Sequence, residues 1–155
     1  MNKATIKYVN DNEYYTPKEF VDIFGKFDYD PATVKEKAEE FWISNFDTIE
    51  TDWLSKDWTQ YKRIWINPPF TRKQEFINKA WETYKIAKND IYILFPIEFL
   101  TTAKFHISTG WWKIFIPNWR VNFQSWLGKK RQSPPFWSIV MKVQDIWEIE
   151  PIIIK

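Results

Sequence analysis

The alternation of apolar and polar residues is clearest in the middle of the chain. From Lys73 to Lys88 the residues Phe76, Ile77, Ala80, Trp81, Tyr84 and Ala87 recur at the three-and-four spacing of one helix face, which predicts an amphipathic helix. The run Ile91-Tyr92-Ile93-Leu94-Phe95 that follows is continuously apolar and stops at Pro96, as a buried central strand would. On the other side of the helix, Arg63-Ile64-Trp65-Ile66 reads as a short apolar strand ended abruptly by Asn67-Pro68-Pro69. A strand, a helix and a strand in that order imply a parallel pair.

The flanking thirds have weaker rhythms. Thr16-Pro17 followed by Lys18 to Phe24 predicts a helix with Thr16 as N-cap, Pro17 in the first turn, Glu19 at the capping-box position and Gly25 as terminator. Phe27-Asp28-Tyr29-Asp30 alternates like a short strand, Pro31 breaks it, and Val34 to Phe41 is helix-like. Asp47 to Gln60 is polar and loop-like. In the last third, Lys113 to Ile116, Arg120 to Phe123 and Trp137 to Val143 are strand candidates separated by Pro, Gly and basic residues, and are expected to add antiparallel strands at one edge. The parts predict a compact three-layer α/β sheet with an antiparallel, β-rich C-terminal portion. With no internal repeat, no low-complexity tract and only 3 Gly, residues 1–155 are expected to form a single domain.

Composition narrows the function classes. The absence of Cys removes disulfides, thiolate nucleophiles and Cys-ligated zinc or iron–sulfur sites. No apolar run approaches the length of a signal peptide core or a membrane span, so a cytoplasmic protein without membrane contact is expected. Net charge is +2, but residues 1–57 sum to −6 and residues 58–155 to +8, with no acidic residue between Phe99 and Gln144. That stretch suits phosphate contacts, although its cations need not share one face. Aromatic residues reach 20%; most are expected in the core, and Trp111-Trp112, Trp119 and Trp126 are candidates for an exposed surface that stacks bases or meets a partner.

The candidate chemistry lies in Asn67-Pro68-Pro69-Phe70. Ligands of open α/β sheets collect outside the carboxyl ends of parallel strands, and this string sits at such an end. Its prolines hold the backbone open so that the Asn67 side-chain oxygen and the Pro68 carbonyl can serve as paired acceptors for one amino group. The exocyclic amine of adenine needs both hydrogens held as its nitrogen turns tetrahedral, and Phe70 offers a face on which an extruded base can stack for roughly 1–3 kcal/mol. Such a string arises by chance in a chain of this length on the order of once in a thousand.

Asn67 to Phe70 resembles the catalytic motif of S-adenosylmethionine-dependent amino-group methyltransferases. The order Tyr14-Tyr15-Thr16-Pro17, Phe27 to Thr33, Leu54 to Trp58, then Asn67 to Phe70, is similar to the Dam-like DNA N6-adenine methyltransferases of phages and prophages. Leu94-Phe95-Pro96, Lys104-Phe105-His106, Arg120 to Phe123 and Pro134 to Val140 continue that pattern. The resemblance implies a Rossmann-like methyltransferase fold, S-adenosylmethionine as cofactor with no metal, and site-specific methylation of adenine N6 in double-stranded DNA. It further implies a cofactor pocket lined by Tyr15, Thr16, Pro17, Asp30, Pro31 and Ala32, with Asp57 near the cofactor adenine. Asp30-Pro31-Ala32-Thr33 stands where broader methyltransferases carry a glycine-rich loop.

Candidate DNA contacts are Arg72 and Lys73 beside the catalytic loop, Lys104 and His106, Arg120, and Lys129-Lys130-Arg131 in an expected hairpin loop between Gly128 and Pro134. Three alternatives stay open from the sequence. Thr16, Asp30 and Asp57 equally suit capping roles; the acceptor could instead be an RNA base or a protein glutamine; and an inactive, DNA-binding or anti-restriction protein would retain the same scaffold. Target sequence and oligomeric state are left undetermined.

Overall fold

The structure is a computed structural model describing residues 15–48, 51–102, 111–124, 131–132 and 136–153, with the backbone alone at Phe70, Gln124, Arg131 and Gln132. Its frame is a seven-stranded mixed sheet of order β2-β1-β3-β4-β8-β5-β9. The predicted central unit is present: β3 (Arg63–Ile66), helix α3 (Lys73–Ala87) and β4 (Asp90–Pro96), with β3 and β4 parallel and Ile64 opposite Ile91. Lys88 ends the helix in the left-handed conformation.

Alternation along each strand divides the core into two layers. Ile64, Ile66, Ile91, Ile93, Phe95, Ile139, Met141 and Val143 face α3. Trp65, Tyr92, Leu94 and Val140 face the opposite side, against α1 (Lys18–Val21) and α2 (Lys35–Glu40). Helices therefore cover both faces, the three-layer arrangement expected from apolar strands of this length.

The N-terminal helix differs at its start. Pro17, not Thr16, is the N-cap, and its carbonyl accepts the Phe20 N–H at 3.1 Å. Thr16 lies one residue too early to reach the first-turn donors, and its hydroxyl is buried. The chain continues as a 3-10 turn, Asp22–Phe24, and ends at Gly25 with φ of 91°. A Cβ on Gly25 would stand 2.6 Å from the Arg63 guanidinium, which donates to the Lys26 carbonyl at 2.8 Å and to the Phe24 carbonyl. Strand β1 is only Tyr29–Asp30, because the Asp28 carboxylate leaves the ladder to accept the Lys62 and Arg63 N–H groups at 3.0 and 2.9 Å.

Two elements escaped the periodicity. Strand β2 (Asn45–Phe46) pairs parallel to β1, and β9 (Glu148–Ile152) pairs parallel to β5 (Trp111–Pro117). The first has two residues, too few to set a period; the second alternates at Glu148-Ile149-Glu150 but is interrupted by Pro151 and is exposed along most of its length. The C-terminal additions are thus not uniformly antiparallel: β8 (Ser138–Gln144) runs antiparallel to β4 and β5, and β9 restores a parallel edge. Within the polar segment before β3, Trp53–Ser55 forms a 3-10 turn, and Trp53 and Trp58 are buried against Phe76 of α3.

Arg120 to Phe123 is not a strand of the main sheet. Only Phe123 pairs, in a two-stranded ribbon of β6 (Phe123–Gln124) and β7 (Arg131–Gln132), which places Arg131 on a strand instead of in the hairpin loop. The expected tryptophan surface is also revised. Trp112 is fully buried, and Trp119 is half-buried with its ring 6.1 Å from Phe20. Trp111 is half exposed, edge-on to Trp147 at 6.3 Å, while Trp126 lies outside the described residues. No described helix is long and apolar enough to cross a membrane.

Candidate active site

Strand order locates the ligand edge. From β1 the chain passes through α2 to β2 on one side, then crosses to β3 on the other side, so the order reverses between β1 and β3. The loops leaving the two strands diverge there and open a crevice at their carboxyl ends. Asp30 closes β1 and Asn67 follows β3, so the structure brings both to this switch point.

Asn67 is half-buried and Pro68 buried. Pro69, at φ −55° and ψ 135°, turns the chain into the 3-10 segment Phe70–Arg72 that leads into α3. Asn67 lines a shallow, open-sided cleft with Leu94, Phe95 and Pro96 from the end of β4, Phe123 of the ribbon, Phe136, and Ser138 at the start of β8. The rings of Phe123 and Phe136 lie 6.2 Å apart at 54°. The cleft is apolar except for Asn67 and Ser138, whose hydroxyl is buried without a hydrogen-bond partner among the described residues. The ring of Phe70 lies outside what the structure describes.

At the end of β1, Asp30 is 2% exposed, and burial pushes its carboxyl up from 3.8 to about 7, only partly offset by the Ala32 N–H, which donates to Oδ1 at 3.0 Å. Pro31 is buried and Ala32 half-buried beside it. Tyr15, Thr16 and Pro17 lead into α1. Tyr15 lies 6.0 Å from the buried Lys37 amine of α2, which is paired with Glu40. The Thr16 hydroxyl, like that of Ser138, is buried and without a partner among the described residues.

Asp47 was not singled out in the sequence, because it follows the inconspicuous strand β2. Its N–H donates to the Asp30 carbonyl at 3.0 Å, its carbonyl accepts the Thr33 N–H at 3.1 Å, and its carboxylate accepts the Tyr29 hydroxyl at 2.5 Å. Burial, and secondarily this carboxylate, push the Tyr29 hydroxyl well above its ordinary range. Asp57 is exposed and closes its own turn, its carboxylate accepting the Thr59 N–H at 2.9 Å and the Thr59 hydroxyl at 2.6 Å. Those hydrogen bonds hold its carboxyl below the usual value.

Among the candidate DNA contacts, Arg72 and Lys73 do stand at the exit of the Asn67–Phe70 loop. The Arg72 guanidinium is engaged twice by Glu75, at 2.9 and 2.7 Å, and lies 5.4 Å from the Trp53 ring. Arg120 is exposed with its guanidinium 5.7 Å from the Trp137 ring. The acid-free stretch does not present all its cations to one partner: Lys113 pairs with Glu148 and Glu150 of β9, and Lys142 with Asp90 at the start of β4. Lys104, His106, Lys129 and Lys130 lie outside the described residues, as does the side chain of Arg131.

The chain is thus an open α/β sheet with Asn67-Pro68-Pro69 beside its switch point and an apolar cleft between Asn67 and the ends of β4 and β8; in such sheets ligands collect outside the carboxyl ends of the parallel strands. A model of the family described as DNA N-6-adenine-methyltransferase (Dam) matches residues 3–148, and the chain belongs to that family. It is similar to the DNA N-6-adenine-methyltransferase of Escherichia phage T1, at 33% identity over 87 residues, which are 54% of this chain and 35% of the phage protein. The match thus spans about a third of that relative's length.

Proposed function

We propose that this protein methylates the N6 amine of adenine in DNA, using S-adenosylmethionine and receiving the extruded base in the cleft beside Asn67. The observation that carries this reading is the placement of Asn67-Pro68 at the carboxyl end of β3, beside the switch point, with Asn67 lining one cleft with Phe123 and Phe136. The family membership and the name of the phage relative support the same substrate. Asn67 Oδ1 and the Pro68 carbonyl accept the two amine hydrogens, which steers the nitrogen lone pair out of conjugation and toward the methyl donor. The apolar walls exclude water and offer ring faces to the base.

The residues at the end of β1 fit the cofactor. A buried carboxyl raised to about 7 and a buried, unpartnered Thr16 hydroxyl are polar groups short of partners, and an ammonium-bearing ligand supplies them. Asp30, Thr16 and the Ala32 turn would hold the amino-acid end. Asp47, on the adjacent strand end, is in the position from which carboxylates of open sheets accept ribose hydroxyls. When bound, the cofactor supplies an activated methyl group on sulfur. The Rossmann-like methyltransferase fold is part of this proposal, supported by the three layers and the parallel β2-β1-β3-β4 half.

The test is incubation with methyl-labelled S-adenosylmethionine and DNA, followed by nucleoside digestion and mass spectrometry. N6-methyladenine is expected, and Asn67→Ala should lose it while retaining the wild-type melting temperature. Label in RNA or in polypeptide, or no transfer accompanied by salt-dependent DNA binding indifferent to the cofactor, would overturn the assignment.

A further inference from the structure

Ser138 has no part in the chemistry described so far, yet it lines the cleft with Asn67 and is 2% exposed, and its hydroxyl has no partner among the described residues. A buried hydroxyl left unpaired is unfavourable, and its retention calls for a group that completes it. Its position is set by the sheet: β8 runs antiparallel to β4 with Ser138 opposite Pro96, and the Ile97 N–H donates to the Trp137 carbonyl at 2.7 Å. Ser138 is thereby held in the frame that also positions Leu94, Phe95 and Pro96, which makes it a fixed reference point for a ligand.

We propose that Ser138 reads the ring of the target base, its hydroxyl donating to one of the two ring nitrogens that flank the amine held by Asn67 and Pro68. The inference rests on the adenine reading of the site. Asn67 Oδ1 and the Pro68 carbonyl are acceptors and match the amine hydrogens of adenine. On either side of the amine-bearing carbon, adenine presents an acceptor, N1 on the Watson–Crick edge and N7 on the other. A cleft that satisfies this edge needs a donor next to its acceptors. Ser138 supplies it, the remaining lining among the described residues apart from Asn67 being Leu, Pro and Phe. Guanine and thymine carry a carbonyl where adenine carries the amine, and a ring N–H beside it. They would set oxygen against the Asn67 oxygen. With N1 as the partner of Ser138 their ring N–H would also oppose its hydroxyl donor, so Ser138 would contribute to selection of adenine over guanine and thymine; with N7, an acceptor that guanine shares, it would contribute to binding without excluding guanine.

The experiment is a cycle of one substitution and two substrate analogues. Wild type and Ser138→Ala are assayed for methyl transfer to duplexes whose target base is adenine, 1-deazaadenine or 7-deazaadenine. Ser138→Ala should lose roughly tenfold in kcat/KM on adenine, the size expected for one buried hydrogen bond. Wild type should lose a comparable factor on whichever analogue lacks the partner nitrogen, and the variant should show no further loss on that analogue. The other analogue should remain additive. The melting temperature of Ser138→Ala should equal or exceed that of the wild type, since the hydroxyl is buried with no hydrogen-bond partner among the described residues. Losses that multiply for both analogues, or wild-type kinetics in Ser138→Ala, overturn the inference. A wild-type protein that methylates no DNA overturns the adenine reading and this assignment together, whereas activity with a multiplicative cycle removes the Ser138 role alone.

Discussion

Replacing Asp30 with Asn leaves an oxygen to accept the Ala32 N–H but removes a carboxyl that burial makes reluctant to ionise. Its folded-state value of about 7 lies above the ordinary 3.8, so folding favours the protonated form. The stability it contributes is complete below about pH 4 and disappears as pH rises through about 7. The full penalty for ionising it in place is on the order of 4 kcal/mol at 1.36 kcal/mol per pH unit. Most of the change falls between pH 5 and pH 8.5, where linkage gives a loss of roughly 3 kcal/mol. Against a typical total of about 5–15 kcal/mol, urea denaturation at the two pH values resolves such a loss. The wild type without cofactor should lose that amount over the interval, and Asp30→Asn should be nearly level across it and more stable than the wild type at the upper end. The same variant should lose the thermal stabilisation by S-adenosylmethionine. A variant whose stability falls with pH in parallel with the wild type would refute the placement of a reluctant charge at Asp30.

Asn67→Ala should reduce methyl transfer at least ~100-fold, as expected for a lost donor–acceptor contact to the reacting group, with circular dichroism unchanged. Trp58 and Trp65 are both fully buried, but the Trp58 indole N–H donates to the Trp53 carbonyl at 3.2 Å while that of Trp65 has no partner among the described residues. Trp58→Phe should therefore cost about 1 kcal/mol more in urea unfolding than Trp65→Phe; equal costs would remove the distinction. Gly25→Ala should destabilise by about 1–2 kcal/mol, because a positive φ and the Arg63 guanidinium both oppose a side chain there. Glu75→Gln, which weakens the exposed clamp on Arg72, should leave the urea midpoint essentially unchanged.

What the sequence alone determined is the central unit and the Asn-Pro-Pro loop at its strand end. Apolar runs at Ile64 to Ile66 and Ile91 to Phe95 and a helical stripe from Phe76 to Ala87 are buried on their expected faces, because burial of such patterns leaves a single arrangement for each element. Asn67-Pro68-Pro69-Phe70 was legible for a similar reason: two prolines at a strand end dictate local geometry whatever surrounds them. Everything that depends on distant partners was hidden. Strand β2 is two residues, too short to show a period, and β9, although it alternates at Glu148-Ile149-Glu150, is an exposed edge whose parallel pairing with β5 nothing in its own composition dictates. Thr16 reads as a helix cap until Pro17 takes that place and burial leaves the hydroxyl unpaired. Asp47 and Ser138 are ordinary residues in sequence. Only the sheet carries Asp47 beside Asp30, through pairing of β2 with β1, and Ser138 into the cleft of Asn67, through pairing of β8 with β4. Local propensity specifies elements. The register between strands far apart in the chain decides which polar groups lose water together, and the candidate site is made of those groups.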